Sequence, residues 1–220
     1  MRRPLTVLVT RPRAQAAKLV RALEAEGFDV VAEPLIAVES LSEDPIDVSG
    51  YDWVFVTSAN GARELARRMT ARPRAIAAVG PGTAEALHEE GLHADVVAVQ
   101  HTQDGLVQAF PEPPGRALFV GAEGARDELV TRLAADFLPA YRTVELEVDG
   151  LPAADLALLM SPSAARAYAK AGGAGPAVSI GPHTTAAARA AGVVVVAEAE
   201  PHDVRGLVDC AAAWRASSRS

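Results

Sequence analysis

Cysteine occurs once in this 220-residue chain, at Cys210. That excludes a disulfide framework within one chain and suits a reducing compartment. The lone thiol lies in an apolar stretch and reads as a buried side chain rather than a nucleophile. Aromatic residues make up only 5% of the chain, so the core is expected to be aliphatic, built from Ala, Val and Leu. No apolar run approaches the roughly 18 residues that a spanning helix needs. The opening MRRPLTVLVT holds too short an apolar run for a signal peptide and reads as a first strand. A cytoplasmic location with no membrane partner is the expectation. Positive charge is also short: 21 Lys and Arg stand against 28 Asp and Glu, a net charge of −7. Such a balance argues against a nucleic-acid partner, which calls for a basic face. It leaves an anionic small molecule open, because local dipoles and a few Arg residues outweigh a distant net charge. Half the residues are apolar and 22% are charged, ordinary for a protein with a substantial core.

Several chemistries have no motif here. Among the five histidines, His88 and His93 are near neighbours and the rest isolated, which gives no metal-ligand spacing. GPGTAE at 80–85 lacks the third glycine of a dinucleotide fingerprint. No P-loop and no serine-centred nucleophile elbow occurs.

What the chain does have is repetition. DWVFVTSANGAREL at 52–65 returns as DLALLMSPSAARAY at 155–168, VGPGTAEAL at 79–87 as IGPHTTAAA at 180–188, and DGLV at 104–107 as RGLV at 205–208. The offset is 103 residues for the first pair and 101 for the others. The first unit recurs as well: VLVTRPRAQAAKLVRAL at 7–23 matches LFVGAEGARDELVTRL at 118–133. Each phrase is an apolar run that ends in small polar residues and opens a helical pattern. That is a strand whose tip meets a helix N-terminus, with unbonded N–H groups at the junction. Predicted strands are Leu5–Thr10, Phe28–Ala32, Trp53–Thr57, Ala75–Val79 and Val96–Val99, each followed by a helical or connecting segment. Gly91 and Gly192 are placed as left-handed C′ residues. The alternation implies parallel sheets with helices on both faces, and ligands beyond the carboxyl ends of the strands. Pro34–Glu39 and Pro139–Glu145 break the rhythm and read as crossovers between two domains. PEPPG at 111–115 is a candidate linker, and WRASSRS at 214–220 a frayed polar tail. A linear duplication, near 1–110 and 115–220, and an arrangement in which the chain leaves one domain and returns to it are both open on the repeat alone.

VTRP at 9–12 with Gln15, VTSANG at 56–61, VGPGTA at 79–84, YRT at 141–143, SPSA at 161–164 and IGPHTT at 180–185 together resemble the uroporphyrinogen-III synthase family, over essentially the whole chain. The resemblance implies two flavodoxin-like α/β domains with parallel sheets, joined by a two-stranded β ladder that contains Leu35–Val38 and Tyr141–Val144, with a cleft between them. One domain would be residues 1–33 plus 149–220, the other 41–139, with 34–40 and 140–148 as connecting strands. It implies a lyase without cofactor or metal, acting as a monomer. The substrate would be hydroxymethylbilane, a linear polycarboxylate tetrapyrrole handed over by hydroxymethylbilane synthase. The product would be uroporphyrinogen III, with ring D inverted through a spirocyclic pyrrolenine. A synthase-like module that binds a tetrapyrrole without catalysis is the alternative.

A polyanionic substrate on an acidic protein requires local recognition. The candidate binding residues are Arg11, Ser58, Asn60, Gly80, Thr83, Ser161, Ser163, Gly181 and Thr184, at the predicted strand tips of both halves. Each helix N-terminus there favours an anion by about 0.3–1 kcal/mol when exposed. Ser, Thr and Gly also take such positions purely as caps and turn residues. Arg63 and Arg166 fall at equivalent places in the repeat as possible rim charges, and His183 lies in the GPHTT tip. Tyr141 read bare is a tyrosine packed between elements with its hydroxyl satisfied. The family's YRT motif instead makes it the catalytic candidate, a phenol beside the departing hydroxyl.

Overall fold

A computed structural model describes residues 3–218 apart from Pro111, Pro113 and Arg126. In chain order the first elements are β1 (Thr6–Val9), α1 (Arg13–Ala25), β2 (Asp29–Ala32) and β3 (Ile36–Ser40). There follow β4 (Trp53–Val56), α2 (Ala59–Arg68), β5 (Ile76–Ala78), α3 (Pro81–Glu89), β6 (Val96–Val97) and α4 (Gln103–Gln108). Next come β7 (Ala117–Ala122), α5 (Glu128–Leu133) and β8 (Asp136–Glu145). The chain closes with β9 (Leu156–Leu159), α6 (Pro162–Lys170), β10 (Ala177–Ser179), α7 (Pro182–Ala190), β11 (Val195–Glu198) and α8 (Val204–Ser218). Contacts divide the chain into two compact units. One holds the residues up to Ala37 and from Thr143 onward; the other is Val38–Arg142.

The first unit is a parallel sheet in the order β11-β10-β9-β1-β2. Its strands are apolar at nearly every position because both faces are covered. Val7, Val9, Leu156 and Leu158 pack with Leu19, Leu23 and Leu207 of α1 and α8. Leu8, Ala157 and Leu159 turn the other way, onto Ala165, Tyr168 and Ala188 of α6 and α7. The second unit carries the order β3-β8-β7-β4-β5-β6. One face sets Val54, Val56 and Val120 against Leu65 and Leu87 of α2 and α3. The other sets Phe55 and Phe119 against Leu106, Leu129 and Leu133 of α4 and α5.

The repeat maps onto these sheets residue by residue. Val7 pairs with Leu156 in one unit; Ala117 pairs with Trp53 in the other. β7 and β8 therefore occupy in the second unit the places of β1 and β2 in the first. In one unit these two strands precede their neighbours in the chain; in the other they follow them. That is why two offsets are needed, 103 for DWVF and about 110 for the first strand–helix unit. β3 and β8 are neighbours, flanked by Leu146 N–H to the Leu35 carbonyl at 2.9 Å and Leu41 N–H to the Ala140 carbonyl at 3.0 Å. Both bonds keep one antiparallel register.

Gly91 and Gly192 take φ of +74° and +83°, as a C′ residue should. Three expectations need correction. PEPPG at 111–115 joins α4 to β7 inside the second unit and links no domains; Pro111 and Pro113 lie outside the described residues. Its lead-in, Phe110, packs edge-on to Trp53 and Phe55 at 4.8 and 5.2 Å. WRASS is no frayed tail: it completes α8, because Trp214 packs on the core of the first unit and Arg215 donates to the Glu26 carbonyl at 2.6 Å. Arg219 and Ser220 lie outside the described residues. Cys210 is half-buried rather than buried, its thiol directed at the Glu198 carbonyl at 3.4 Å.

Two glycines give a contrast in sign. A Cβ on Gly206 would stand 2.0 Å from the Pro201 carbonyl oxygen, whereas one on Gly82 would meet nothing within 4 Å. Gly206→Ala is expected to destabilise by about 2–3 kcal/mol through backbone overlap. Gly82→Ala is expected to stabilise by up to about 0.5–1 kcal/mol through reduced chain entropy. Urea unfolding of the two variants measures both.

Candidate active site

Four strand tips run into helices with matched geometry. Ser58 caps α2 with φ −160° and ψ 157°, and its hydroxyl accepts the Gly61 N–H at 3.0 Å. Ser161 caps α6 with φ −160° and ψ 158° and accepts the Ala164 N–H at 3.1 Å. Gly80 caps α3 and Gly181 caps α7, both in fully extended backbone. That backbone suits any residue, so the need for glycine lies elsewhere. A Cβ on Gly80 would approach the His101 side chain to 3.2 Å, and one on Gly181 would approach the His202 ring to 3.3 Å.

The four corners differ in the donors they can turn outward. Pro81, Pro162 and Pro182 fill the first helical position of α3, α6 and α7, and proline has no N–H. In α3 the Thr83 N–H is bonded to the Gly80 carbonyl at 3.1 Å. Of the four helices only α2 begins without proline, so Ala59 adds one N–H to its corner. Thr83 and Thr184 are buried, at 6% and 3% exposure. Their side chains therefore face inward more than the sequence implies. Ser163 lies half-buried on the first turn of α6, while His183 is exposed on that of α7. Arg11 follows β1 and donates to the Gln15 side chain at 3.2 Å. Arg63 reaches Glu89 of α3 at 3.5 Å, which ties this rim charge to an acid.

Tyr141 and Ser58, 83 residues apart in the chain, meet. The phenol oxygen lies 2.7 Å from the Ser58 hydroxyl, and Tyr141 is 5% exposed among Val56, Val120 and Ala140. A register shift between Gly121 and Ala122 makes this possible: Gly121 pairs with Pro139, but Ala122 pairs with Tyr141. The extra residue, Ala140, re-aims the strand. Ala140 and Tyr141, though consecutive, both enter the same core cluster. Pro139, which cannot donate to a ladder, is tolerated at such a bulge. Burial raises the ionisation range of the phenol, and the Ser58 hydrogen bond partly offsets it. Tyr141 is thus a protonated phenol throughout the neutral range.

Sequence reasoning passed over the histidine pair. His101 and His202 share the 101-residue register of Gly80 and Gly181, and that recurrence was the available signal. It also passed over a chain of polar groups in the first unit. There the Ser179 hydroxyl lies 2.5 Å from that of Thr185, which donates to Glu198, and Glu198 stands 3.7 Å from His202. Among the described residues no group of three or more His, Cys, Asp or Glu could hold a metal ion, and no helix is long and apolar enough to cross a membrane.

These features define a duplicated α/β protein: two units with largely parallel sheets whose strand tips carry Ser- and Gly-capped helices, one of these caps bonded to a buried phenol. Residues 17–209 match the family model described as uroporphyrinogen-III synthase HemD, and the chain belongs to that family. It is 30% identical over 159 residues to a uroporphyrinogen-III synthase of Synechococcus elongatus, covering 63% of this chain and 60% of the relative. It is 26% identical over 153 residues to a putative uroporphyrinogen-III synthase of Methanocaldococcus jannaschii, covering 65% of this chain and 64% of that one. The chain thus spans about three-fifths of the length of these relatives. Among solved structures, a mutant uroporphyrinogen III synthase from Thermus thermophilus matches with a TM-score of 0.59 at 19% identity, over 98% of this chain and all of the other. That likeness establishes the fold.

The phenols of Tyr51, Tyr141 and Tyr168 all ionise above their ordinary range, chiefly through burial. A raised folded value means that the folded state holds its proton longer. This stabilisation is complete below about pH 10, the unfolded value, and is lost as pH rises through the folded value. Unfolding free energy is therefore expected to fall above about pH 10, and less steeply in Tyr141→Phe. Alkaline urea titrations of the two proteins measure this; equal slopes would contradict a buried phenol at 141.

Proposed function

We propose that this chain is a uroporphyrinogen-III synthase that cyclises hydroxymethylbilane with inversion of ring D. The observation that carries the reading is the buried Tyr141 phenol bonded to the helix-capping Ser58 at 2.7 Å, in a chain of this family. In the proposed reaction the terminal hydroxyl of the linear tetrapyrrole leaves as water, and an azafulvenium-like electrophile remains. Ring D attacks through its substituted α-carbon, and the spirocyclic pyrrolenine so formed fragments and recloses with that ring inverted. Tyr141 donates its proton to the departing hydroxyl, and burial keeps that proton available at neutral pH.

Recognition of the substrate carboxylates is assigned to the strand tips. Ser58, Asn60, Gly80 and Thr83 belong to one unit; Arg11, Ser161, Ser163, Gly181 and Thr184 belong to the other. With Thr83 and Thr184 buried, their share passes mainly to main-chain groups. Arg11 supplies a guanidinium suited to a carboxylate. Both units are proposed to be flavodoxin-like, a reading supported by strand order. Numbered by position along the first unit, β2-β1-β9-β10-β11 is the 2-1-3-4-5 order of that fold. Hydroxymethylbilane synthase is the proposed source of the substrate, by transient hand-over.

The test supplies fresh hydroxymethylbilane and separates the type I and type III products. A predominance of type III over the no-enzyme control is expected, and a product ratio equal to that control would reject the reading. Tyr141→Phe is expected to lose about a hundredfold or more in kcat, the low end of what a positioned acid contributes, with its fold retained by circular dichroism.

A further inference from the structure

The Ser58 hydroxyl is bonded on two sides, and the order of those bonds decides what the Tyr141 phenol can do. One lone pair of the oxygen accepts the Gly61 N–H at 3.0 Å. The same oxygen faces the phenol at 2.7 Å, which leaves two proton arrangements. If the phenol donates to Ser58, its proton is committed and unavailable to any other acceptor. If Ser58 donates to the phenol, the phenolic proton turns away from Ser58 and can be given to a third group.

Two physical effects favour the second arrangement. Accepting an N–H bond polarises a hydroxyl and makes it a better donor, so the chain from N–H through O–H to oxygen is cooperative. The N–H in question belongs to the first turn of a ten-residue helix, where the helix dipole adds positive potential. As the phenol loses its proton, negative charge grows on its oxygen and the bond from Ser58 becomes charge-assisted. An acceptor-only partner would repel the same charge. The extra residue at Ala140 places the phenol at this corner. Gly61 lets the helix approach closely: a Cβ there would lie 3.0 Å from the Val120 carbonyl oxygen and 3.4 Å from the Ser58 hydroxyl.

We propose that Ser58 is a positioning residue for Tyr141: it donates to the phenol oxygen, holds the phenolic proton outward and stabilises the charge left when that proton departs. This reassigns Ser58 from ligand contact to a role exerted through another side chain. The inference rests on the synthase reading for its kinetic arm. Its spectroscopic arm stands without that reading.

The experiment compares Ser58→Ala, Ser58→Thr and Ser58→Asp with the parent protein. Phenol ionisation at Tyr141 is followed by near-ultraviolet absorbance, as the difference between each protein and its counterpart that also carries Tyr141→Phe. Ser58→Ala is expected to lower kcat about tenfold, the scale of a hydrogen bond to a charged group, with KM nearly unchanged and phenol ionisation moved to higher pH. Ser58→Thr keeps both the cap and the donor and is expected to restore both properties. Ser58→Asp keeps the cap but only accepts, so the fold persists while phenol ionisation moves up further. The proposal is overturned if Ser58→Ala leaves phenol ionisation in place, if Ser58→Asp lowers it, or if the alanine change raises KM alone. Type III product absent from the parent protein would reject the synthase reading, and the phenol titrations would still decide the bond.

Discussion

One side chain, Tyr141, has to reach from the second strand of a sheet to the mouth of a helix that follows another strand, and a single extra residue permits it. β8 lies two strands away from β4, with β7 between them. In a regular strand, consecutive residues face opposite sides, so Ala140 and Tyr141 could not share a face. The shift at Gly121/Ala122 removes that constraint, and both residues enter the cluster formed with Val56, Leu65 and Leu87. Gly121 belongs to the same solution: a Cβ there would come within 2.7 Å of the Phe119 ring. Packing, bulge and proline-tolerant backbone thus converge on one phenol.

The two units are one scaffold with divergent corners. Ser58 and Ser161 have matching dihedral angles and the same capping bond, and Gly80 and Gly181 each lie beneath a histidine ring. Around them the chemistry departs. The place that Tyr141 takes in one unit falls to Leu35 and Ile36 in the other, both buried, so Ser161 meets no phenol from that strand. Arg11 follows β1, where Gly121 occupies the matching tip of β7. Glu198 anchors Thr185 and stands near His202, while Val97, the residue in its register, is exposed. Function on such a scaffold resides in the corners rather than in the sheet.

Much of this was legible in the sequence because the corners are local. A cap and the N–H that it accepts lie three residues apart, so TSANG and MSPSA announce their geometry directly. The C′ glycines at 91 and 192 are equally local. What escaped depends on residues distant in the chain. Asp136–Glu145 forms one ten-residue strand, of which the sequence shows Pro139–Glu145 as an extended crossover; Pro139 hides the three residues before it, since proline inside an apolar run argues against a strand until a bulge is known. The Ser58–Tyr141 bond requires the register of three strands. Burial of Thr83 and Thr184 depends on which face of each helix the sheet receives, and short amphipathic helices leave that ambiguous by a residue. WRASS looked polar because Trp214 and Arg215 act through contacts with α1 and its neighbours, not through their own segment.

The distribution of charge explains why the α2 corner should matter more than its three relatives. Many surface cations are already engaged with acids: Arg67 with Glu43 and Glu64, Arg74 with Asp52, Arg132 with Asp104, Arg142 with Glu39 and Lys170 with Glu145. Exposed pairs of this kind contribute little to stability, but they neutralise the charges that would otherwise draw anions at random to the surface. In the proposed reading, attraction is left to Arg11 and to fixed dipoles at the strand tips, which screening weakens least where the group is partly buried. Three of the four tips give up their first donor to proline, and α2 does not. Its N-terminus is therefore the one of the four corners where a first-position N–H, a hydroxyl bonded to the main chain and a protonated phenol lie together. Binding of an anionic group and delivery of a proton require neighbouring sites of this kind, because an acid is useful only where its substrate is held.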